Sequence, residues 1–305
     1  MLTYLRSINY RPAIKERPEL QRGSWVRCEE PTTEEKSVLV ELGIDEDILT
    51  DALDPHEVPR IDVSDGWVYF ITRVPDIGDD FNDFTTPIMF ALGKQCMATV
   101  SRDKLGHLWQ PFIEKTAVPT TQQTKLFITM IDMIAQSYQN RVALINRQMR
   151  AVTNDIAHLR PRDIATIVEY ERKLNDYLDA LIPTNTAIEM TLGGKLLRLY
   201  KDDMSLVEDL SVDLEQVITR CKSLLRTITN VRDSYRAVMD TRLNETMRIL
   251  TVATLVLTIP TMIAGLFGMN VSLPVDHDAP EVFWIIILVC VIAGGGVSLY
   301  FLKKR

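Results

Sequence analysis

The stretch Ile249–Phe267, ILTVATLVLTIPTMIAGLF, runs directly into Gly268-Met269-Asn270. These 19 residues are Leu, Ile, Val, Thr, Ala, Met and Phe with one Pro and one Gly. As a helix they extend roughly 28 Å at 1.5 Å per residue, which matches a bilayer hydrocarbon core of about 30 Å. No charge of either sign occurs from Ile249 to Val275. A second uncharged block of 21 residues, Val282–Leu302, contains the run Gly294-Gly295-Gly296, which soluble helices tolerate poorly but membrane helices accept. Both blocks read as transmembrane helices, since two such blocks so close together are costly to hide in a soluble core.

The flanks give an orientation. Arg242 and Arg248 precede the first span, and Lys303, Lys304 and Arg305 follow the second. The connecting segment, 268–281, carries only acids: Asp276, Asp278 and Glu281. The positive-inside rule therefore places both termini in the cytoplasm and the acidic loop outside. One hairpin of two helices cannot line a channel, so any transport function demands an oligomer.

Composition excludes several other classes. Of 305 residues, 34 are Lys or Arg and 41 Asp or Glu, a formal net charge of −7. The basic residues are dispersed among acids, so no nucleic-acid partner is expected. Gly (13) and Pro (14) are few and 46% of residues are hydrophobic, unlike collagen-like or disordered chains. Cys28, Cys96, Cys221 and Cys290 lie far apart without CxxC spacing, which predicts reduced thiols rather than a disulfide framework or zinc cage. His56, His107, His158 and His277 are isolated and no GxSxG occurs, so an enzyme is not expected. No Walker-type Gly-rich loop is visible, and no organic cofactor is expected. Residues 1–13 hold no apolar run, so no secretory signal is expected.

An α+β domain is expected over 1–120. Trp67–Val74, Thr86–Leu92 and Cys96–Val100 are β-rich. Thr33–Leu39 and Glu46–Leu53 carry helical periodicity, with Thr32 or Thr33 and Asp45 as N-caps. From residue 121 the character turns helical. Residues 121–194 form a helical region with breaks expected at Pro183 and Gly193-Gly194. No Gly or Pro then occurs over the 65 residues from Lys195 to Ile259, about 98 Å if helical throughout. That predicts a stalk, 195–248, continuous with the first span at 249–267, then the loop 268–281, the second span 282–302 and a basic tail 303–305.

A polar seam crosses the first span. Thr251, Thr254, Thr258 and Thr261 are spaced 3, 4, 3 and share one helix face. The same heptad register takes in Asn244 and Met247 before them and Gly265 and Gly268 after them, with Asp233 and Asp240 further upstream. Seven-residue periodicity fits helices packed around a common axis, and rings of acids on such an axis suit cations. The alternative is that the hydroxyls bond back to their own backbone and only ease packing.

Gly268-Met269-Asn270 between two terminal spans, with Asn244-Glu245-Thr246-Met247 at the entrance and Ile259-Pro260-Thr261-Met262-Ile263-Ala264-Gly265 before it, resembles the CorA family of divalent-cation channels. Asp51–Arg60 and the Gly66-Trp67-Val68-Tyr69-Phe70 strand resemble its cytoplasmic domain. The resemblance implies a homopentameric funnel in a bacterial-type cytoplasmic membrane, with the first span lining the pore. It implies Mg²⁺ as cargo, with Co²⁺ and Ni²⁺, driven by the membrane potential and gated by intracellular Mg²⁺. Gly268, Met269 and Asn270 would form the selectivity filter. Asn244, Thr251, Thr254, Thr258, Thr261 and Gly265 would line the pore, Met247 and Leu250 the hydrophobic gate, and Asp233 an acidic ring. Asp209 would hold regulatory Mg²⁺ with an acid among Asp76, Asp79, Asp80 and Asp83. A zinc transporter of the same architecture, proton-coupled in some members, is the alternative, although Met269 favours magnesium. A non-transporting membrane-anchored scaffold is the second, and it would have no need of a polar stripe.

Overall fold

A computed structural model describes residues 1–8, 14–75, 84–115, 118–153, 159–192, 196–197, 199–269 and 280–303. The chain divides into two compact units, residues 1–231 and 232–305.

The first unit is built on one seven-stranded sheet. Its strands are β1 (Leu2–Arg6), β2 (Lys15–Arg17), β3 (Ser24–Glu29), β4 (Arg60–Ser64), β5 (Trp67–Pro75), β6 (Thr85–Leu92) and β7 (Cys96–Ser101). Their spatial order is β2-β1-β3-β7-β6-β5-β4. All pairings are antiparallel except β3 with β7, where Val26 lies opposite Ala98. β6 and β7 are buried along their whole length, as expected for central strands covered on both faces. They are joined through Gly93, where an added Cβ would lie 2.6 Å from the Trp67 ring. Only glycine lets that turn close against the indole.

Alternation along β5 assigns the two faces. Tyr69 and Ile71 join Val26, Met89, Ala91, Ala98 and Val100 against Leu39 of α1 (Thr33–Glu41) and Leu49 of α2 (Glu46–Asp51). α1 starts with a capping box, Thr32 with Glu35, and α2 with Asp45 as N-cap. Phe70 and Phe90 point the other way, onto Phe127 of α4 (Gln123–Thr153) at 5.1 and 5.4 Å between ring centroids. Trp25 and Phe90 likewise meet Trp109 of α3 (Gly106–Lys115).

α5 (Pro161–Leu192) follows. The break expected at Pro183 does not occur, and the helix continues through it. Burial of Ala180, Leu181, Thr184, Ala187 and Ile188, with the Thr184 hydroxyl 2.7 Å from that of Thr72 on β5, holds both sides of the proline in place. Tertiary packing here outweighs the lost backbone bond. α6 runs unbroken from Lys201 to Phe267. Within the first unit it buries Val207, Leu210, Leu214, Val217, Cys221, Leu224, Ile228 and Val231 at three- and four-residue spacing. Ser211 Oγ donates to Asn185 Oδ1 of α5 at 3.1 Å.

The second unit is a hairpin of the C-terminal part of α6 with α7 (Pro280–Lys303). Both helices are long and apolar enough to cross a membrane. None of the most apolar window of α6 and only 6% of that of α7 is buried. Val252 and Val256 share a cavity wall with Ser298 and Phe301 of α7. Buried Gly294 comes so close that its Cβ would lie 3.8 Å from the Val256 carbonyl oxygen. That carbonyl has no N–H four residues on, because residue 260 is proline. Arg248 closes the hairpin by donating from Nη2 to the Phe301 carbonyl oxygen.

Candidate cation pathway

The face of α6 that meets α7 is the half-buried stripe Val252, Val256, Ile259, Ile263. At about 100° per residue, the centre of Thr251, Thr254, Thr258 and Thr261 lies roughly 150° round from that stripe. The four threonines are exposed and turned away from the partner helix of their own hairpin. Asn244, Met247, Leu250, Gly265 and Gly268 are exposed on α6 or at its end in the same sector. Met247 and Leu250 leave 54% and 60% of their surface open.

Each threonine hydroxyl bonds to the carbonyl four residues before it. Thr251 donates to Met247 (2.8 Å), Thr254 to Leu250 (2.8 Å), Thr258 to Thr254 (2.7 Å) and Thr261 to Leu257 (2.7 Å). These are the back-bonds of the packing alternative, and they have a chemical consequence for a pathway. A carbonyl oxygen only accepts, so each hydroxyl spends its single proton on the backbone. Its oxygen is left with lone pairs facing outward. The stripe is thereby a ladder of neutral acceptors, suited to water molecules whose protons point outward from a cation.

At the end of α6, Gly268 N donates to Ala264 O at 2.9 Å and Met269 is 53% exposed. Asn270 lies outside the described residues, as do Asp76, Asp79, Asp80, Asp83, Asp276 and Asp278. Asp233 and Asp240 are exposed on α6, Asp233 standing 3.8 Å from Arg236 one turn on. Asp209 is exposed on the part of α6 that belongs to the first unit. The described seam residues form a line along one helix of the second unit, and Asp209 belongs to the first. Among the described residues no group of three or more His, Cys, Asp or Glu is gathered around a metal-sized space.

Asp132, which sequence reasoning passed over, sits half-buried on α4. Burial, and then the nearby Asp213 of α6, push its carboxyl above the ordinary range. Its only signal in the sequence is an acid inside the apolar run Phe127–Ile134. Burial also pushes the Cys28 and Cys96 thiols up to about 11 and that of Cys221 to about 12, so these sulfurs are inert protonated core groups.

The sequence model of the CorA-like Mg²⁺ transporter protein family matches residues 21–305. The chain belongs to that family. A CorA relative in Methanocaldococcus jannaschii, named a cobalt/magnesium transport protein, is 24% identical over 276 residues, covering 88% of this chain and 86% of its own. The complete structure of the CorA magnesium transporter from M. jannaschii superposes with a TM-score of 0.84 at 21% identity, over 100% of this chain and 96% of that one. The ZntB cytoplasmic domain from Vibrio parahaemolyticus matches more distantly, with a TM-score of 0.65 at 10% identity over 78% of this chain and 98% of that one. This CorA-like chain is thus a membrane protein with the family's fold: an α+β N-terminal domain, a long helix and a second apolar span.

Proposed function

We propose that the chain is the subunit of a homopentameric channel that carries Mg²⁺ into the cytoplasm, with Co²⁺ and Ni²⁺ as lesser cargo. The observation that carries this reading is the acceptor stripe on α6 opposite the α7 contact. A lipid-facing helix has no use for such a stripe, whereas five copies around an axis turn it into rings. One helix offers about one side-chain oxygen per level, while Mg²⁺ prefers six oxygens and gives up its water reluctantly. Rings of neutral oxygens therefore hold the hydrated ion through its outer waters, weakly enough to release it.

In this reading Gly268, Met269 and Asn270 form the outer filter, and Asn244, Thr251, Thr254, Thr258, Thr261 and Gly265 line the path. Met247 and Leu250 make an apolar constriction that closes by dewetting, and the Asp233 ring draws cations toward the cytoplasmic end. Both termini lie in the cytoplasm, consistent with the basic flanks. The driving force is the membrane potential, roughly 4.6 kcal/mol for a divalent ion per 100 mV. Mg²⁺ bound between subunits at Asp209, with an acid from the 76–83 segment, holds the closed state, and its loss leaves like charges facing one another.

Zinc is the second reading, on the strength of the ZntB-like neighbour. The thiols disfavour it: Cys28, Cys96 and Cys221 are buried and Cys290 stands on α7, so no thiolate lies on the seam to favour a softer metal. Uptake of Mg²⁺ and of Zn²⁺ into proteoliposomes, with and without a pH gradient, tests both. The expected result is Mg²⁺ uptake that follows the potential and ignores the pH gradient. In the same assay Asp209→Lys should abolish inhibition by Mg²⁺ on the cytoplasmic side. Proton-dependent Zn²⁺ uptake without Mg²⁺ flux would replace the magnesium reading by the zinc one.

A further inference from the structure

The first unit holds a polar cavity of about 780 Å³ that cation transport does not use. It lies where the end of β1, the turn before β3, the β6–β7 turn and the first turns of α4 and α6 meet. Arg6, Arg22, Lys94 and Lys125 line it against a single acid, Asp203, in a chain whose formal net charge is −7. Asp203 is 6% exposed, and its carboxylate is committed to the start of α6, accepting from the Tyr200 N–H at 3.4 Å. Among the described residues no carboxylate pairs with Arg22, Lys94 or Lys125. Arg6 donates to Gln21 through Nη1, while its Nε is buried with no hydrogen-bond partner among the described residues. A buried charged donor left so is costly.

Three further features point the same way. α4 begins in the cavity wall, and the N–H groups of its first turn have no partner inside the helix. That turn contains no acid and instead carries Lys125, so the positive helix end is reinforced where an acid would normally offset it. The wall is tightly built: Gly23, at φ +82°, packs so close that a Cβ would fall 2.7 Å from Thr121 Cγ2. At the rim Tyr200 leaves 78% of its surface open, an aromatic face of the kind on which bases stack.

We propose that this cavity binds a nucleoside triphosphate. The polyphosphate lies against the four cations and the start of α4, and the base lies on Tyr200. The volume falls within the range of about 300–1,000 Å³ usual for small-molecule sites. The site is independent of the transport reading and is tested by binding rather than flux.

The test is equilibrium dialysis of the full-length protein in detergent against ATP, with EDTA present so that bound divalent cations contribute nothing. Saturable binding that weakens as salt rises is expected. Arg22→Glu with Lys94→Glu, both exposed side chains, should weaken it by about tenfold or more while circular dichroism is unchanged. Tyr200→Ala should weaken ATP several-fold and leave tripolyphosphate untouched. Absence of saturable binding at millimolar ATP, or wild-type binding by the charge-reversed variant, overturns the site. Tripolyphosphate binding as tightly as ATP with no effect of Tyr200→Ala overturns the nucleotide assignment.

Discussion

Glu35 ties the first strand to the first helix. Its carboxylate accepts from the N–H of Thr32 at 3.0 Å and of Leu2 at 2.7 Å, while the Thr32 hydroxyl accepts from Glu35 N at 3.3 Å. The Thr32 N–H is the main cause holding the Glu35 carboxyl below its ordinary value of 4.5. A carboxyl whose pKa is lower folded than unfolded stabilises the fold above the unfolded value and loses that contribution as pH falls through the folded one. Glu35→Gln should therefore cost about 1 kcal/mol near neutral pH and flatten the fall in stability below pH 4.5, read as thermal midpoints against pH. An unaltered acid limb would remove Glu35 from this role. Thr32 and Asp45 were legible as caps because the rule they obey is local. The raised carboxyl of Asp132 was not, because Asp213, which faces it, is on a different helix.

At the scale of elements, strands β5, β6 and β7 and helices α1 and α2 could be read from periodicity and turn residues. β1 and β3 could not, because their pairing is non-local: Val26 meets Ala98 on one side and Tyr4 on the other. The same limit explains Pro183. Its position in α5 depends on Thr184, 3% exposed, meeting Thr72, 1% exposed, at 2.7 Å. Thr184 also donates to Ala180 O at 2.7 Å. Thr184→Val keeps the shape and strands the Thr72 hydroxyl, so a loss of about 1–3 kcal/mol is expected. Adding Thr72→Val should restore most of it, since removing both partners of a buried bond is nearly neutral. Denaturant unfolding of the single and double variants measures this, and additive losses would contradict the pairing.

At the scale of the whole molecule, the second unit exposes an apolar surface that water alone cannot tolerate. Leu257, Met262, Trp284, Val291, Ile292 and Leu299 each leave more than 60% of their surface open. Lipid can cover the sides of a hairpin, and in the proposed channel a shared axis would give the threonine stripe water as well. The mass of the detergent-solubilised particle, by light scattering corrected for detergent, should be five times the 34.8 kDa of one chain. A monomeric particle would end the channel reading.

Sequence alone determined the two spans, the seam along α6 and the family resemblance, because charge-free length and heptad spacing are properties of consecutive residues. Tertiary structure decided that the seam faces away from α7, that α5 survives its proline and that four basic side chains from distant segments share one cavity. Each of these depends on which surfaces meet after folding, and that is fixed by packing between residues far apart in the chain.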